Sequence, residues 1–302
     1  MPLYNHEGYI LPKDRDYGVE KEVERVMSSA PSFRVAGKPI AGAGKGKIVL
    51  GWKIIEQARG SFLNKVQGIG DCVSFGYAGA FDYTLACDIV IRGENEVFTD
   101  CATEWIYGTS RVLVGKGRLG NSDGSVGSWA AKAGLNHGNL FRMPYDNVDL
   151  STYSKQRAKS WGYRGLPLDL EQIADQWPIS EMGIPARGYE DVRDAIACGY
   201  GVFCCSNRGY SDTRDKDGFL RPSGSWAHCE HLHSVDDTRR PGVCKQNSWP
   251  ASWVKGPTMH DNPPGSGWID AAEVDRICRQ NDTWIIPGVQ GIKRSVIDWE
   301  WV

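Results

Sequence analysis

Apolar residues first fall into a helical period at Val19, Val23, Val26 and Met27, and this spacing predicts an amphipathic helix over about 17–29. Residues 1–16 are polar and read as an extended arm, and Ala30 to Lys47, rich in Gly, Pro and Lys, reads as a linker. From 48 onward the pattern is globular. IVLGWKII at 48–55 predicts a strand, and CVSFGYAGAFDYTLA at 72–86, small and aromatic with no Pro, predicts a buried helix entered from Gly70–Asp71. Val126, Trp129, Ala130 and Ala133 predict a second helix over about 125–137. Asp169 with Gln172 resembles a capping box ahead of Leu170, Ile173, Ala174 and Trp177. Val192, Ala195 and Ile196 before Gly199 predict another helix, and YGVFCCS at 200–206 a strand.

Beyond about residue 200 the chain is turn-rich, with the strand-like pieces WAHCEHLHSV, GVCKQNSW, GSGWI and TWIIPGV. SDTRDKDG at 211–218 reads as a solvated hairpin tip, since it lacks the 12-residue ligand spacing of a Ca²⁺ loop, and DNPPGSG at 261–267 reads as a turn. Helices gather in the first half and short strands in the second, which argues for an α+β fold rather than alternating α/β. The expected organisation is an arm, short helix and linker over 1–47 followed by one domain over 48–302.

Composition narrows the function. The 302 residues carry a net charge of −2, which excludes a strongly basic nucleic-acid binder; no apolar run approaches the roughly 18 residues of a membrane span. MPLYNHEGYILPKDRD places charges where a signal peptide has its apolar stretch, so a cytoplasmic or virion-associated chain is expected. Nine cysteines, an odd number, do not read as a secreted disulfide framework, and reduced, buried thiols are expected. Cys204 and Cys205 are expected to face opposite sides of a strand. AGAGKGK at 41–47 lacks the Gly-x4-Gly-Lys-Ser/Thr spacing of a phosphate loop and reads as a flexible loop.

The chemistry sits in three pieces. VQGIGDCVSFGYAGAF puts Cys72 at the start of a helix, where partial positive charge favours a thiolate, with the Gln67 amide upstream as a donor to a developing oxyanion. SGSWAHCEHLHSVDD supplies histidines that could act as base. CKQNSWP offers Asn247 to hold an imidazole N–H and Trp249 to shield that bond. Strand alternation puts His228, Glu230 and Leu232 on one face and Cys229, His231 and His233 on the other. The latter three form a three-ligand metal set only on paper, because no fourth ligand lies nearby; no metal or cofactor is expected. His231 and His233 are expected as packed or surface side chains, and His6, His137 and His260 as solvated ones.

Gln-Gly-x-Gly-x-Cys opening a helix, a later strand-borne His and Asn-Ser-Trp together resemble the papain-like cysteine peptidases, over about 67–292. DGSVGSWAAKAGLNHGNLFRMPY and YEDVRDAIACGYGVFCC are similar to further segments of that family. The sequence differs in placing Gln67 five residues before Cys72 rather than six, in Asp71, and in Pro250 where the family has Gly. The resemblance implies a divergent, non-lysosomal member of bacterial or phage type, and a two-lobed fold with a helical lobe over about 60–165 and an antiparallel β lobe over about 166–302. It also implies roles: Cys72 nucleophile, His228 general base and then acid, Asn247 orienter, Gln67 oxyanion donor, Trp249 cover. The function expected is hydrolysis of peptide or related amide bonds in a peptide or protein substrate. The alternative is a structural or virion-associated phage protein that keeps the fold without activity and assembles with other proteins through its N-terminal arm.

Overall fold

The computed structural model describes residues 7–30, 40–179 and 183–288, and His6 and the linker residues 31–39 lie outside them. The first helix, α1 (Tyr17–Ser29), forms as its period predicts, with the Asp16 carboxylate capping Val19 N–H at 2.8 Å. The linker loop ends in a backbone cradle for a carboxylate of the chain itself: Gly42 and Gly44 N–H groups donate to Asp194 at 2.7 and 3.1 Å. The expected strand 48–55 divides. Only β1 (Ile48–Leu50) is extended, and Gly51 begins α2 (Gly51–Arg59), which buries Trp52, Ile54 and Ile55 along one side.

The helix predicted at 72–86 is α3 (Cys72–Val90), buried from Cys72 through Asp88. A helix that is apolar or small on every side belongs inside a protein, and α3 lies between two packed cores. Tyr77 and Phe81 join a core with Trp105, Trp129, Phe203 and Trp284; Tyr83, Ala86 and Cys87 join another with Val192, Val202, Val243 and Ile269. After α3 come α4 (Thr103–Gly108), continued by a π-turn over Thr109–Val114, α5 (Gly127–Asn136), and the ribbon β2 (Pro144–Tyr145) and β3 (Val148–Asp149). Next are α6 (Lys155–Arg164) and the single turn α7 (Glu171–Ala174). The capping box does not form: Asp169 accepts instead from Asn147 at 3.3 Å, and the cap position of α7 is Leu170.

The rest is a sheet with two helices. β4 (Ile184–Pro185) and α8 (Tyr189–Ala197) lead into β5 (Val202–Arg214) and β6 (Leu220–Asp236), a long hairpin whose tip falls in the charged 211–218 stretch. β7 (Gly242–Gln246), β8 (Ser266–Asp270), α9 (Ala271–Cys278) and β9 (Thr283–Ile285) complete it. The sheet order is β4-β9-β5-β6-β7-β8, every pair antiparallel, with β1 added to β6. Helix α3 presses on β6 through two glycines: a Cβ at Gly76 would stand 2.7 Å from Cys229 Sγ, and one at Gly79 would stand 2.5 Å from His231 Nδ1. That close approach brings the start of α3 beside Cys229 of β6. No helix among the described residues is long and apolar enough to cross a membrane.

Candidate active site

Cys72 is the first residue of α3, and its N–H, like every first-turn donor, has no acceptor within the helix. Asp71, at the cap position, does not cap. Its carboxyl turns to Tyr153, whose O–H donates to Oδ2 at 2.8 Å, while Oδ1 is buried without a partner. Burial drives the Asp71 carboxyl well above the usual carboxylate range, opposed by the Tyr153 hydrogen bond. The Cys72 thiol is fully buried and is also pushed well up by desolvation, opposed by the Cys229 and Gly8 backbone N–H groups that face the sulfur.

His228 stands on β6 with its Nε2 held by Asn247 Oδ1 at 2.8 Å. Asn247 follows β7 at its last residue, so the sheet itself sets this bond. The Trp249 ring lies 4.7 Å from the imidazole, tilted by 33°, and Trp226 and Trp253 pack behind it with centroids 4.8 and 5.8 Å away. The imidazole is buried and its Nδ1 has no partner. Burial lowers its pKa, opposed by the Glu230 carboxylate and the Asn247 bond, so the ring is held neutral at pH 7. Glu230 is itself tied to the buried Lys245 ammonium, which sits 4.0 Å from the Tyr210 ring. Gln67 is fixed in two directions: Ser248 Oγ donates to its Oε1 at 2.5 Å, and its Nε2 donates to Ile69 O at 2.9 Å.

The remaining candidates separate by face, as strand alternation predicts. Cys229 points to Cys205, its directly opposed residue on β5, with the sulfurs 2.7 Å apart. Cys204 lies in the other core, so the adjacent thiols do face opposite sides, and all nine cysteines are free. His231 and His233 are packed rather than exposed, their rings 5.2 Å apart. No group of three His, Cys, Asp or Glu among the described residues converges as a metal site, and Cys229, His231 and His233 do not. Two expectations are corrected. His137 and His260 are not simply solvated: His137 Nδ1 meets Glu171 and His260 Nε2 meets Asp236, each at 2.8 Å, because their loops fold back onto acidic neighbours.

One part of the site carried no signal in the sequence. The arm residues from Glu7 to Ile10 pack on the core that contains Cys72, with the Gly8 backbone beside Gly70 and its N–H facing the Cys72 sulfur. Gly8 and Tyr9 N–H groups donate to Ala227 O at 3.1 Å, Ile10 N–H to Ser125 O at 3.0 Å, and Ser125 N–H to Gly8 O at 2.8 Å. Tyr9 is buried, and Arg15 extends the path by reaching Asp282 at 3.4 Å. Ser125 is itself placed by buried Arg111, whose guanidinium donates to the carbonyls of Gly120, Ser122, Gly124 and Gly162. The described part of the arm is therefore packed on its own chain.

A cysteine at the head of a central buried helix, and a buried His–Asn pair on the antiparallel sheet packed against that helix with no hydrogen bond from the imidazole Nδ1 to the thiol, can be compared with known structures. No protein-family model and no curated protein matches the chain. Among solved structures, xylellain, a cysteine protease from Xylella fastidiosa, superposes with a TM-score of 0.58 at 17% identity, over 94% of this chain and 97% of that one. ProCathepsin B S9 from Trypanosoma congolense gives 0.52 at 10% identity, over 95% and 92%. Digestive procathepsin L 3 of the Tenebrio molitor larval midgut gives 0.50 at 14% identity, over 94% and 76%. This is the papain-like fold. The α+β, two-lobed expectation holds, and in the papain-like fold of this chain α3 is the helix between the lobes. At such identities the likeness concerns the fold.

Proposed function

We propose that the protein is a thiol-dependent hydrolase of peptide bonds, with Cys72 as nucleophile and His228 as its base. The observation that carries this reading is the His228 ring, fixed at Nε2 by Asn247 beneath Trp249 while Nδ1 is left buried and unpartnered. A nitrogen in that state is available to take a thiol proton. The sulfur then attacks the peptide carbonyl, and the protonated ring gives its proton to the leaving amine. Water, deprotonated by the same nitrogen, releases the acyl group from the thioester. The Cys72 N–H and the Gln67 amide are the donors for the oxyanion, each worth about 2.7–4 kcal/mol in comparable sites.

Substrate cannot reach Cys72 while residues 7–10 lie over it, so turnover requires this segment to move aside. The peptide or protein substrate would take its place against Ala227 and Ser125, whose backbone groups the arm now occupies. Alkylation tests the reading: iodoacetamide should modify Cys72 first among the nine thiols, and the rate should fall sharply in His228→Ala. Equal labelling of several cysteines would contradict an activated thiol and favour a scaffold without activity.

A further inference from the structure

Helix α6, KQRAKSWGYR, carries Lys155, Arg157, Lys159 and Arg164 and no acidic residue. Arg157 is engaged with buried Glu104 at 3.1 Å, and Lys159 Nζ with Asp123 Oδ1 and Asn121 O, both at 2.5 Å. Lys155 and Arg164 are exposed and have no carboxylate partner among the described residues. With Lys159 they line an open groove of about 560 Å³ whose other wall includes Gly68 and Ile69, in the loop between Gln67 and Cys72. No carboxylate lines this groove. The nearest acids do not offset its charge. Asp123 is taken up by Lys159 and by Gly70 N–H at 3.2 Å, and Asp71 is buried with its pKa raised.

The groove is also tied firmly to the site. Tyr153, one turn before α6, accepts from Gly68 N–H at 3.1 Å and donates to Asp71, and a Cβ at Gly68 would stand 3.0 Å from that of Lys155. A peptide chain running past Cys72 therefore passes two unpaired cations on the nucleophile's lobe.

We propose that this groove binds an acidic side chain of the substrate, through Lys155 and Arg164, and so imposes a preference for Glu or Asp at one substrate position. The proposal rests on the peptidase reading above. A carboxylate entering the groove exchanges water for one or two partly exposed ion pairs, so the preference is modest and shrinks as salt shortens the range of the field.

The test uses the full chain and quenched peptides that carry Glu, Gln or Lys at each position in turn. The expected result is about a 3- to 10-fold higher kcat/KM for Glu over Gln at a single position, falling at high ionic strength. Lys155→Glu with Arg164→Glu should invert that preference toward Lys, with the melting temperature unchanged. As a readout without turnover, Cys72→Ala should bind the preferred Glu peptide more tightly than its Gln counterpart. Cleavage with one Glu-to-Gln ratio in wild type and in the charge-reversed variant overturns the groove and leaves the peptidase reading intact. Cleavage of no peptide at all overturns both.

Discussion

Gly8→Ala is the sharpest probe of the segment over the site, because it replaces no residue of the proposed machinery and adds only a methyl group. Gly8 has no unusual backbone angle; what excludes a side chain there is space. An added Cβ would stand 2.1 Å from Gly70 O and 2.3 Å from its carbonyl carbon, both backbone atoms that cannot rotate away. Overpacking of this kind costs about 1–3 kcal/mol. The arm can escape the clash by leaving, at the loss of four backbone hydrogen bonds between residues 8–10 and Ala227 and Ser125, each worth about 0.5–1.5 kcal/mol net. The clash is paid only while the arm is seated, so the open population should rise about 5- to 150-fold, at about tenfold per 1.4 kcal/mol. Alkylation of Cys72 through a rapid opening equilibrium follows that population. The assay is the iodoacetamide rate at Cys72, read by peptide mapping, beside the melting temperature. An unchanged Cys72 rate with a lowered melting temperature would mean that the clash is absorbed elsewhere and that the arm does not control access.

Two further outcomes follow from single residues. Asn247→Ala should lower turnover by about several-fold to a few hundredfold with the fold intact, since the His228 ring loses its orientation while nucleophile and base remain; lost stability with unchanged Cys72 reactivity would contradict the assignment. His233 is buried with Nε2 unpartnered, and desolvation pushes its pKa down to about 3. The unfolded chain binds that proton below about pH 6.5 and the folded chain does not, so the stabilisation is present above 6.5 and lost as pH falls toward 3. His233→Gln should flatten the dependence of unfolding free energy on pH between 4.5 and 6 by up to about 1.4 kcal/mol per pH unit in urea titrations, and an unchanged slope would refute the neutral assignment.

What the sequence made legible was local and chemical. Helix α3 announced itself because small and aromatic residues fill every side of it, and Asn247 and Trp249 because their neighbours form a compact motif. The 48–55 stretch misled because Ile48, Val49 and Leu50 are β-branched or apolar and run without a break into Trp52, Ile54 and Ile55, so the turn into a helix at Gly51 has no polar marker. Helix α6 went unseen because only Ala158, Trp161 and Gly162 are buried in an otherwise charged segment. The arm over Cys72 left no trace at all. It is held by backbone groups of Gly8, Tyr9 and Ile10, which every sequence possesses, and by a gap that only the absence of a side chain at Gly8 permits. The hydrogen-bonded contacts of His137 and His260 with acidic side chains are likewise products of distant loops meeting, at separations of 34 and 24 residues.

The central claim is that Cys72 forms the bond to substrate. The direct measurement is intact-mass analysis of the full chain, acid-quenched during steady turnover of a peptide ester, followed by mapping of the modified peptide. One acyl group per chain on Cys72, absent in Cys72→Ala along with product, is the predicted result. Product formation at an unchanged rate in Cys72→Ala, or an acyl group mapped to another residue, would contradict it.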